Sequence, residues 1–353
     1  MTYGQLYTRI GDGNDAEDIT IRLQSIYEIL CKILSSNGNS SIQSKIPKLK
    51  ILCDSIIQAI RLKYEYRHTE AIQLLLDTFF QETGCLNTFT LQKGTSLYRM
   101  RDAVSYVNYT KDTPNEMFHV PFELRYKVGN DRYNTSGIPT FYLSSSVYGC
   151  WEEVNRPNID FANVALFKPT SDLLFLDMTL PPQERTIDTS TILGLPLVLA
   201  SRLKVKHIGA RFIPEYIIPQ LAMECLVAKR DLNTCNIQPM IGIRYDSIHQ
   251  NKRDLLFDEF YKDDIFVNYA IPPFEIKDNG VCPKIKNMFE FWKNTSWAEI
   301  KYRNVDISAT APKTHYDQSV FGIIETRLNL IPPGMLTYRT RNIGGIPPGA
   351  LTI

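Results

Sequence analysis

The hydrophobic pattern of this chain changes near residue 90, and that change constrains the fold more than any other feature. Before it, apolar residues recur at three- and four-residue spacings, which is typical of one face of an α-helix. The first such run extends from Ile19 to Leu34, and two more cover residues 47–63 and 69–83. The sequence therefore predicts a small helical domain over residues 1–90.

After residue 90, short runs of β-branched and aromatic residues alternate with Gly, Pro and Asn, as in a series of strands. These runs include TFYLSSS, DLLFLDM, IGIRYDSI and DIFVNYAIPP. Helical patterns near residues 147–154 and 214–228 interrupt the strands without a regular βαβ alternation. The sequence therefore predicts an α+β domain over residues 91–280.

A repeated motif marks the C-terminal extension, residues 281–353. IPPGMLT at Ile331–Thr337 returns as IPPGALT at Ile346–Thr352. A doubled proline removes two backbone donors and does not fit the interior of a helix. We expect an extended tail that packs along the domain, docks on a partner or has no function.

The charge and cysteine content argue against several classes of protein. The 39 Lys and Arg residues nearly balance the 38 Asp and Glu residues, whereas a nucleic-acid or anionic-membrane binder needs a basic excess. No run of 18 apolar residues predicts a membrane span, and the polar N-terminus does not resemble a secretory signal. The seven cysteines are scattered without a CxxC pair, which argues against a zinc site and a disulfide framework. We therefore expect a cytoplasmic protein without a metal.

Common catalytic motifs are missing from the sequence, namely the phosphate loop, GxGxxG, HExxH and GxSxG. A different set of polar residues lies on or beside the strand-like runs: Arg99, Arg132, Asn134, Tyr142, Glu153 and Ser247. An arginine side chain binds diphosphates bidentately, a carboxylate stabilises developing positive charge, and a tyrosine ring stacks on flat rings. These residue types fit a dinucleotide site, and they equally fit structural ion pairs.

The order of these pieces resembles the RES domain. LYRMR, followed by NDRYNTSGIPTFYLSSSVYGCWEEV, is similar to that family's Leu-Tyr-Arg opening, its Arg-Phe-Asn turn, its Leu-Tyr-Leu strand and its helix ending in Glu. YIIPQLAMECLVAKRD, IGIRYDSI and FVNYAIPP resemble its closing pieces, so the resemblance covers residues 91–276. It implies an ADP-ribosyltransferase-like split β-sandwich with flanking helices, preceded here by a small all-α domain. It also implies an NAD-consuming toxin of a bacterial toxin–antitoxin system.

The resemblance assigns roles residue by residue. The positions that it implies are catalytic are Arg99, Tyr142, Glu153 and Ser247. The positions that it implies bind NAD are Arg99, Arg132, Asn134, Tyr142 and Ser144. Tyr133 stands where the family has Phe, and the long spacing before Ser247 predicts an insertion at about residues 157–196.

One register question stays open at this point. Glu152 precedes Glu153, and either residue fits the glutamate that ends the family's helix. We prefer Glu153 because an apolar residue, here Val154, follows the family's glutamate.

The implied reaction is cleavage of the nicotinamide–ribose bond of NAD by hydrolysis or phosphorolysis, with protein ADP-ribosylation as the alternative. NAD is then the substrate, and no metal takes part. The implied protein partner is an Xre-type antitoxin, self-association stays open, and neither nucleic acid nor membrane is expected as a partner.

A second class of function comes from Arg61 and His68, whose spacing resembles the Arg and His signature of helical HEPN ribonucleases. The helical domain would then cleave RNA; otherwise we expect a regulatory or oligomerising module that inhibits the toxin or senses a trigger. A third hypothesis is a non-catalytic binding module that uses the proline-rich tail.

Overall fold

The computed structural model describes residues 1–11, 14–81, 84–102, 117–231, 239–247, 265–302 and 315–330. Both copies of the IPPGxLT motif lie outside these residues, so the role of the tail stays a prediction. Within the described residues, no helix has the length and apolar character that a membrane crossing requires. The same residues contain no group of three or more His, Cys, Asp or Glu side chains placed to hold a metal ion.

Helices occupy most of the chain up to residue 80, as the apolar spacing predicts. They are α1 Tyr3–Ile10, α2 Ile19–Ser35, α3 Ser40–Gln43, α4 Ile46–Tyr64 and α5 His68–Leu75, which continues as a π-helical turn, Leu76–Phe80. Side chains cap the first two helices: Thr2 forms a capping box with Gln5, and Asp18 accepts the Thr20 N–H. The prediction of an N-terminal helical region is confirmed.

In the part of the chain that the structure describes, eight strands form one sheet in the order β1-β5-β6-β7-β3-β2-β4-β8. They are β1 Asn87–Leu91, β2 Leu97–Arg101, β3 Phe141–Ser144, β4 Asn163–Pro169, β5 Leu173–Met178, β6 Gly242–Asp246, β7 Val267–Ile271 and β8 Phe289–Ser296. Neighbouring strands are antiparallel except β5 and β6, which are parallel. The prediction of the α+β class is confirmed.

Further helices surround this sheet. They are α6 Val147–Glu153, α7 Leu195–Ser201, α8 Ile217–Asp231, α9 Pro283–Met288, α10 Trp297–Tyr302, α11 His315–Gln318 and α12 Val320–Leu330. A 3-10 turn, Pro214–Tyr216, leads into α8. Leu23 of α2 and Leu49 of α4 lie in the same hydrophobic cluster as Leu197 of α7 and Leu221 of α8. The N-terminal helices therefore share a core with the rest of the chain, and a domain boundary at residue 90 stays a prediction.

The sheet is nearly divided in its middle. β2 and β3 share a single register pair, Tyr98 with Ser144, whereas the ladder of β2 and β4 runs from Leu97 to Arg101. One side of this near-break holds β1, β5, β6, β7 and β3, and the other side holds β2, β4 and β8. The expected split β-sandwich thus takes the form of one curled sheet that is almost broken between β2 and β3.

The two faces of the sheet are covered differently. Successive side chains of a strand point to opposite faces, so Phe141 and Leu143 of β3 lie in one cluster on the same face. The other face carries two separate clusters. One contains Ile243 and Ala270 together with the N-terminal helices, and the other contains Met100 together with residues of α6 and α12. Between these two clusters the strands carry polar side chains.

The segment from residue 157 to 196, where we expected an insertion, belongs to the sheet. It contains β4, which pairs with β2 and β8, and β5, which pairs with β1 and β6. Leu166 and Phe175 in these strands are fully buried. The segment is therefore part of the hydrophobic core rather than an appendage.

A buried histidine ties the segment before the sheet's third strand to the loop before α9. His119 Nε2 accepts the Cys282 N–H (2.8 Å), and Nδ1 lies 2.7 Å from the Val120 carbonyl oxygen, to which it donates. Burial lowers the pKa of His119 from 6.5 to about 4. With this pKa the ring is neutral near pH 7. A second proton, on Nε2, would remove the lone pair that accepts the Cys282 N–H.

We expect His119 to make the folded protein sensitive to acid. The unfolded ring takes up a proton near pH 6.5 and the folded ring only near pH 4, so stability falls as the pH is lowered through this window. The shift corresponds to about 3 kcal/mol, at about 1.4 kcal/mol per pH unit. Urea unfolding at a series of pH values measures it, and His119→Gln should lose less stability across the window. An equal loss in both proteins would contradict the assignment.

Candidate functional site

One face of the sheet carries two separate hydrophobic clusters, one with the N-terminal helices and one with α6 and α12. A cavity of about 480 Å³ opens between these two clusters. Its walls come from β2, β3, β6, β7 and α6, from the loop before β3 and from the turn before α8. Its volume lies in the range of small-molecule sites, about 300–1,000 Å³. Five of the residues that the sequence singles out line it: Arg99, Arg132, Tyr142, Ser144 and Glu153.

Helix α6 holds Glu153 close to the sheet. Ser146 caps the helix by accepting the Gly149 N–H (2.8 Å). A Cβ on Gly149 would lie 2.5 Å from Ser144 Oγ, so only glycine allows the helix to lie this close to β3. Past its end, Asn155 and Arg156 adopt left-handed backbone conformations with φ of 60° and 54°, which stop the helix. Glu153 therefore occupies the last turn of a helix that is fixed at both ends.

The two adjacent glutamates have different surroundings. Glu153 lines the cavity, and its Oε1 accepts a hydrogen bond from Nδ2 of Asn268 on β7 (2.8 Å). Glu152 pairs with Nε of Arg156 (2.9 Å) and is not a lining residue. The geometry therefore favours Glu153 over Glu152 as the acid of this cavity.

Arg99 lies at the near-break between β2 and β3. Its Nη1 donates a hydrogen bond to the Tyr142 carbonyl oxygen on β3 (2.7 Å), and its guanidinium carbon lies 5.6 Å from the centre of the Phe141 ring. The guanidinium thus links two strands that share one register pair. Arg99 is also one of the residues that line the cavity.

Arg132 is fixed by the end of α7. Its Nη1 donates to the Ser201 carbonyl oxygen (2.6 Å), and its Nη2 donates to the Leu203 carbonyl oxygen (3.2 Å). Its guanidinium carbon lies 5.1 Å from the centre of the Tyr216 ring. These bonds satisfy carbonyl groups that the end of a helix leaves without partners. Arg132 therefore lines the cavity and also supports its wall.

Asn134 does not line the cavity but holds Tyr142, which does. The Tyr142 hydroxyl donates to Asn134 Oδ1 (2.6 Å), and Asn134 Nδ2 donates to the carbonyl oxygens of Gly129 (3.1 Å) and Thr135 (3.3 Å). Burial raises the pKa of Tyr142 well above its usual value, so the phenol stays neutral and can donate. Asn134 is thus connected to the cavity through Tyr142, and the direct contact with NAD that the resemblance implies for Asn134 stays a prediction.

Ser247 is the predicted catalytic residue that the structure does not bring to the cavity surface. It follows β6, its N–H donates to the Phe266 carbonyl oxygen (2.8 Å), and it is buried. It lies two positions after Tyr245, which lines the cavity. Its catalytic role stays a prediction.

Several lining residues were missed by the sequence analysis: Tyr98, Asp131, Tyr216, Tyr245 and Asn268. Asn268 had a usable signal, because it is an amide in the otherwise apolar run FVNYAI. Asp131 stands next to Arg132, and burial raises the pKa of its carboxyl group.

One residue outside the cavity fixes the loop that carries Asp131. Gln220 of α8 donates through Nε2 to Asn130 Oδ1 (2.9 Å), to the Asp131 carbonyl oxygen (3.0 Å) and to the Asn134 carbonyl oxygen (3.1 Å). The Pro-Gln piece of the sequence thus helps to position this wall of the cavity.

The second predicted pair, Arg61 and His68, does not line the cavity. Arg61 is exposed on α4, and His68 begins α5. His68 Nε2 lies 2.8 Å from a Glu224 carboxylate oxygen of α8, and its Nδ1 lies 2.6 Å from Lys63 Nζ. Both ring nitrogens are therefore engaged within the protein, and nothing in this arrangement favours a ribonuclease site.

Residues 97–268 match the family model of the RES domain. A relative described as "Putative toxin YopC", from Bacillus subtilis (strain 168), is 26% identical over 308 residues, which cover 80% of this chain and 66% of the relative. The chain thus spans slightly less than two thirds of that relative's length. The crystal structure of the M. tuberculosis MbcT-MbcA toxin-antitoxin complex gives a TM-score of 0.33 at 12% identity, over 61% of this chain and 90% of that chain. A TM-score this low supports no conclusion about the fold.

We expect Asn134 and Tyr142 to be energetically coupled. Asn134→Ala leaves the largely buried Tyr142 hydroxyl without its acceptor, which costs about 1–3 kcal/mol in the free energy of unfolding. In a Tyr142→Phe background the same substitution should cost about 1 kcal/mol less, because no hydroxyl is stranded. Urea unfolding of the two single variants and the double variant measures this coupling. Tyr126→Phe, at an exposed tyrosine, is the control and should leave stability unchanged. Strictly additive costs would contradict the coupling.

Proposed function

We propose that this protein, whose residues 97–268 match the family model of the RES domain, is a toxin enzyme that consumes NAD by breaking its nicotinamide–ribose bond. One observation carries the proposal: Arg99, Tyr142 and Glu153, which are distant in sequence, line one cavity. NAD presents a diphosphate, a flat ring and a glycosidic bond. A guanidinium, an aromatic ring and a carboxylate are side chains that suit these three groups.

In the proposed reaction the bond between C1′ of the ribose and the nicotinamide nitrogen breaks. The bonding electron pair leaves with nicotinamide, which is neutral after departure, and the ribose develops the positive charge of an oxocarbenium ion. A water oxygen then bonds to C1′ and its proton is released, which yields ADP-ribose. With phosphate as the acceptor, the product is ADP-ribose carrying a phosphate at the same carbon.

Glu153 is the group that we propose stabilises this cation. Its carboxylate lies at the cavity surface, and the hydrogen bond from Asn268 Nδ2 (2.8 Å) holds Oε1 in place. A carboxylate fixed before the reaction needs no reorganisation when positive charge develops. The same group can orient the attacking water and accept its proton.

Arg99 and Tyr142 would bind the substrate's charged and flat parts. The hydrogen bond from Arg99 to the Tyr142 carbonyl oxygen (2.7 Å) holds the guanidinium beside the strand that carries the phenol ring. Asn134 anchors the far end of that ring. We propose that Arg99 contacts the diphosphate or its ribose and that the Tyr142 ring stacks on nicotinamide.

The toxin assignment includes a protein partner. The relative described above carries the description "Putative toxin", and the resemblance to the RES domain implies a toxin of a bacterial toxin–antitoxin system. We therefore propose an antitoxin of the Xre type that binds this protein in the cytoplasm and restrains its activity. Co-expression with such a partner should restore growth that expression of the toxin alone arrests.

We expect Glu153→Gln to reduce NAD consumption by about two to three orders of magnitude, because it removes the preorganised charge that faces the cation. The matched control is Glu152→Gln at the adjacent position, whose side chain pairs with Arg156 outside the cavity. Purified protein is incubated with NAD, and the remaining NAD and the products are followed by mass spectrometry.

The same experiment decides between acceptors. ADP-ribose formed in buffer indicates hydrolysis, a phosphorylated product that appears only with added phosphate indicates phosphorolysis, and a mass increase on protein indicates ADP-ribosylation. Parental NAD consumption by Glu153→Gln, or a loss in Glu152→Gln alone, would show that the acid has been misassigned.

A further inference from the structure

The wall of the cavity next to α7 is a loop that depends on other parts of the chain for its position. We call residues 202–213, between α7 and the turn Pro214–Tyr216, the rim segment. Ile208 at its centre lines the cavity and is 92% exposed. An apolar side chain that is so little packed must be placed by the backbone on either side of it. The bonds that fix this backbone therefore decide the shape of the cavity mouth.

The cavity side of the rim segment is held by Arg132. As described above, its guanidinium binds the carbonyl oxygens of Ser201 and Leu203. Leu203 is itself buried. The first residues of the rim segment are therefore fixed from inside the cavity.

The opposite side is held by Arg22 of α2, which lies outside the matched RES domain. Arg22 Nη2 donates to the carbonyl oxygen of Lys204 (3.1 Å), the residue that follows Leu203. Arg22 Nη1 pairs with Glu215 Oε1 (2.7 Å), and both side chains are buried. The two arginines thus bind the carbonyl groups of two successive residues, Leu203 and Lys204.

Glu215 transmits this contact along the loop. Its Oε1 also accepts the Lys206 N–H (3.3 Å), and the next residue, Tyr216, lines the cavity and contacts Arg132. A buried carboxylate that accepts a backbone N–H holds the backbone firmly, because neither group has water as an alternative partner. Arg22 and Glu215 therefore connect the N-terminal helices with the cavity wall.

Surface ion pairs reinforce the same contact only weakly. Lys206 Nζ lies 2.8 Å from Asp15 Oδ1, and His207 Nε2 lies 2.9 Å from Glu17 Oε2. Asp15, Glu17 and His207 are exposed, and exposed pairs contribute at most about 1 kcal/mol. The buried Arg22–Glu215 pair is the contact whose loss would free the loop.

We propose that Arg22 is a positioning residue for the substrate cavity and that the N-terminal helices serve to hold the rim segment. The side-chain hydrogen bonds of Arg22 go to Lys204 and Glu215, neither of which lines the cavity. The expected consequence for substrate binding rests on the proposed NAD reaction, whereas the expected consequence for the loop does not.

The loop is tested first, by hydrogen–deuterium exchange on the full chain without substrate. Arg22→Gln should raise exchange across residues 203–216 and leave the strands of the sheet as protected as before. Arg22→Lys keeps the charge beside Glu215 and should restore part of the protection. Arg67→Gln is the control, because Arg67 lies in the same helical region but pairs on the surface with Glu65 and Glu70. Unchanged exchange at residues 203–216 in Arg22→Gln overturns the proposal.

A second variant covers the case in which Arg22→Gln does not fold, since it leaves a buried carboxylate without its partner. The double variant Arg22→Met, Glu215→Leu removes both buried charges and keeps the apolar volume. Because no unpaired buried charge remains, this variant should fold. Because it lacks the bonds to the Lys204 carbonyl oxygen and the Lys206 N–H, it should still show raised exchange in the rim segment. Parental exchange in this folded variant overturns the proposal.

Kinetics with NAD distinguish a positioning role from a merely structural one, because a positioning residue changes KM while kcat stays nearly the same. Arg22→Gln should raise KM for NAD by about tenfold, equivalent to about 1.4 kcal/mol of binding, with kcat within about threefold of the parent. A fall in kcat at unchanged KM, or the same change in Arg67→Gln, counts against the proposal. If the parental protein consumes no NAD, the proposed function fails, and the exchange experiment still decides the role of Arg22.

Discussion

The hydrogen bond from Arg99 to the Tyr142 carbonyl oxygen lies where the sheet is weakest. β2 and β3 share one register pair, so the backbone ladder alone joins the two parts of the sheet at a single point. The hydrogen bond from Arg99 Nη1 to the Tyr142 carbonyl oxygen of β3 (2.7 Å) supplies a second link between the two parts. Because the two strands do not pair further, there is room at this point for a cavity with strands on two sides. The weakness of the sheet and the presence of the site are therefore the same structural feature.

This arrangement explains why the polar groups of the cavity are already bound to the protein. Asn268 holds Glu153, Asn134 holds Tyr142, and the end of α7 holds Arg132. A buried polar group without a partner costs free energy, so such groups persist in a fold only when a partner is supplied. The same partners fix the side chains in advance of a ligand, which is the condition under which electrostatic stabilisation is most effective. Stability and preorganisation thus demand the same hydrogen bonds.

Much of the fold class and part of the site could be predicted from the sequence. The change of hydrophobic period near residue 90 predicts the α+β class with N-terminal helices. The motif order predicts that Arg99, Tyr142 and Glu153 belong to one site, and all three line the same cavity. Short motifs allow these predictions because each one is recognised from a few neighbouring residue types and their spacing.

The rest depended on partners that are distant in sequence. Asn268 is recognisable in the sequence as an amide in an apolar strand. No local pattern predicts that its hydrogen bond goes to Glu153. An amphipathic helix shows which face is buried and not what covers it, so the core that α2 and α4 share with α8 could not be predicted. Ser247 shows the reverse case, because its motif is clear while burial keeps it from the cavity surface.

Both walls of the cavity rest on residues beyond the matched segment, residues 97–268. On one side, Arg22 of α2 holds the rim segment. On the other, Glu325 of α12 accepts the Val147 N–H (2.7 Å) at the start of α6 and also binds the Tyr316 hydroxyl. A buried N–H without an acceptor costs about 1–3 kcal/mol, and here it would lie at the start of the helix that carries Glu153. The flanking segments are therefore structural parts of this site, because the matched segment alone would leave the supports of both walls incomplete.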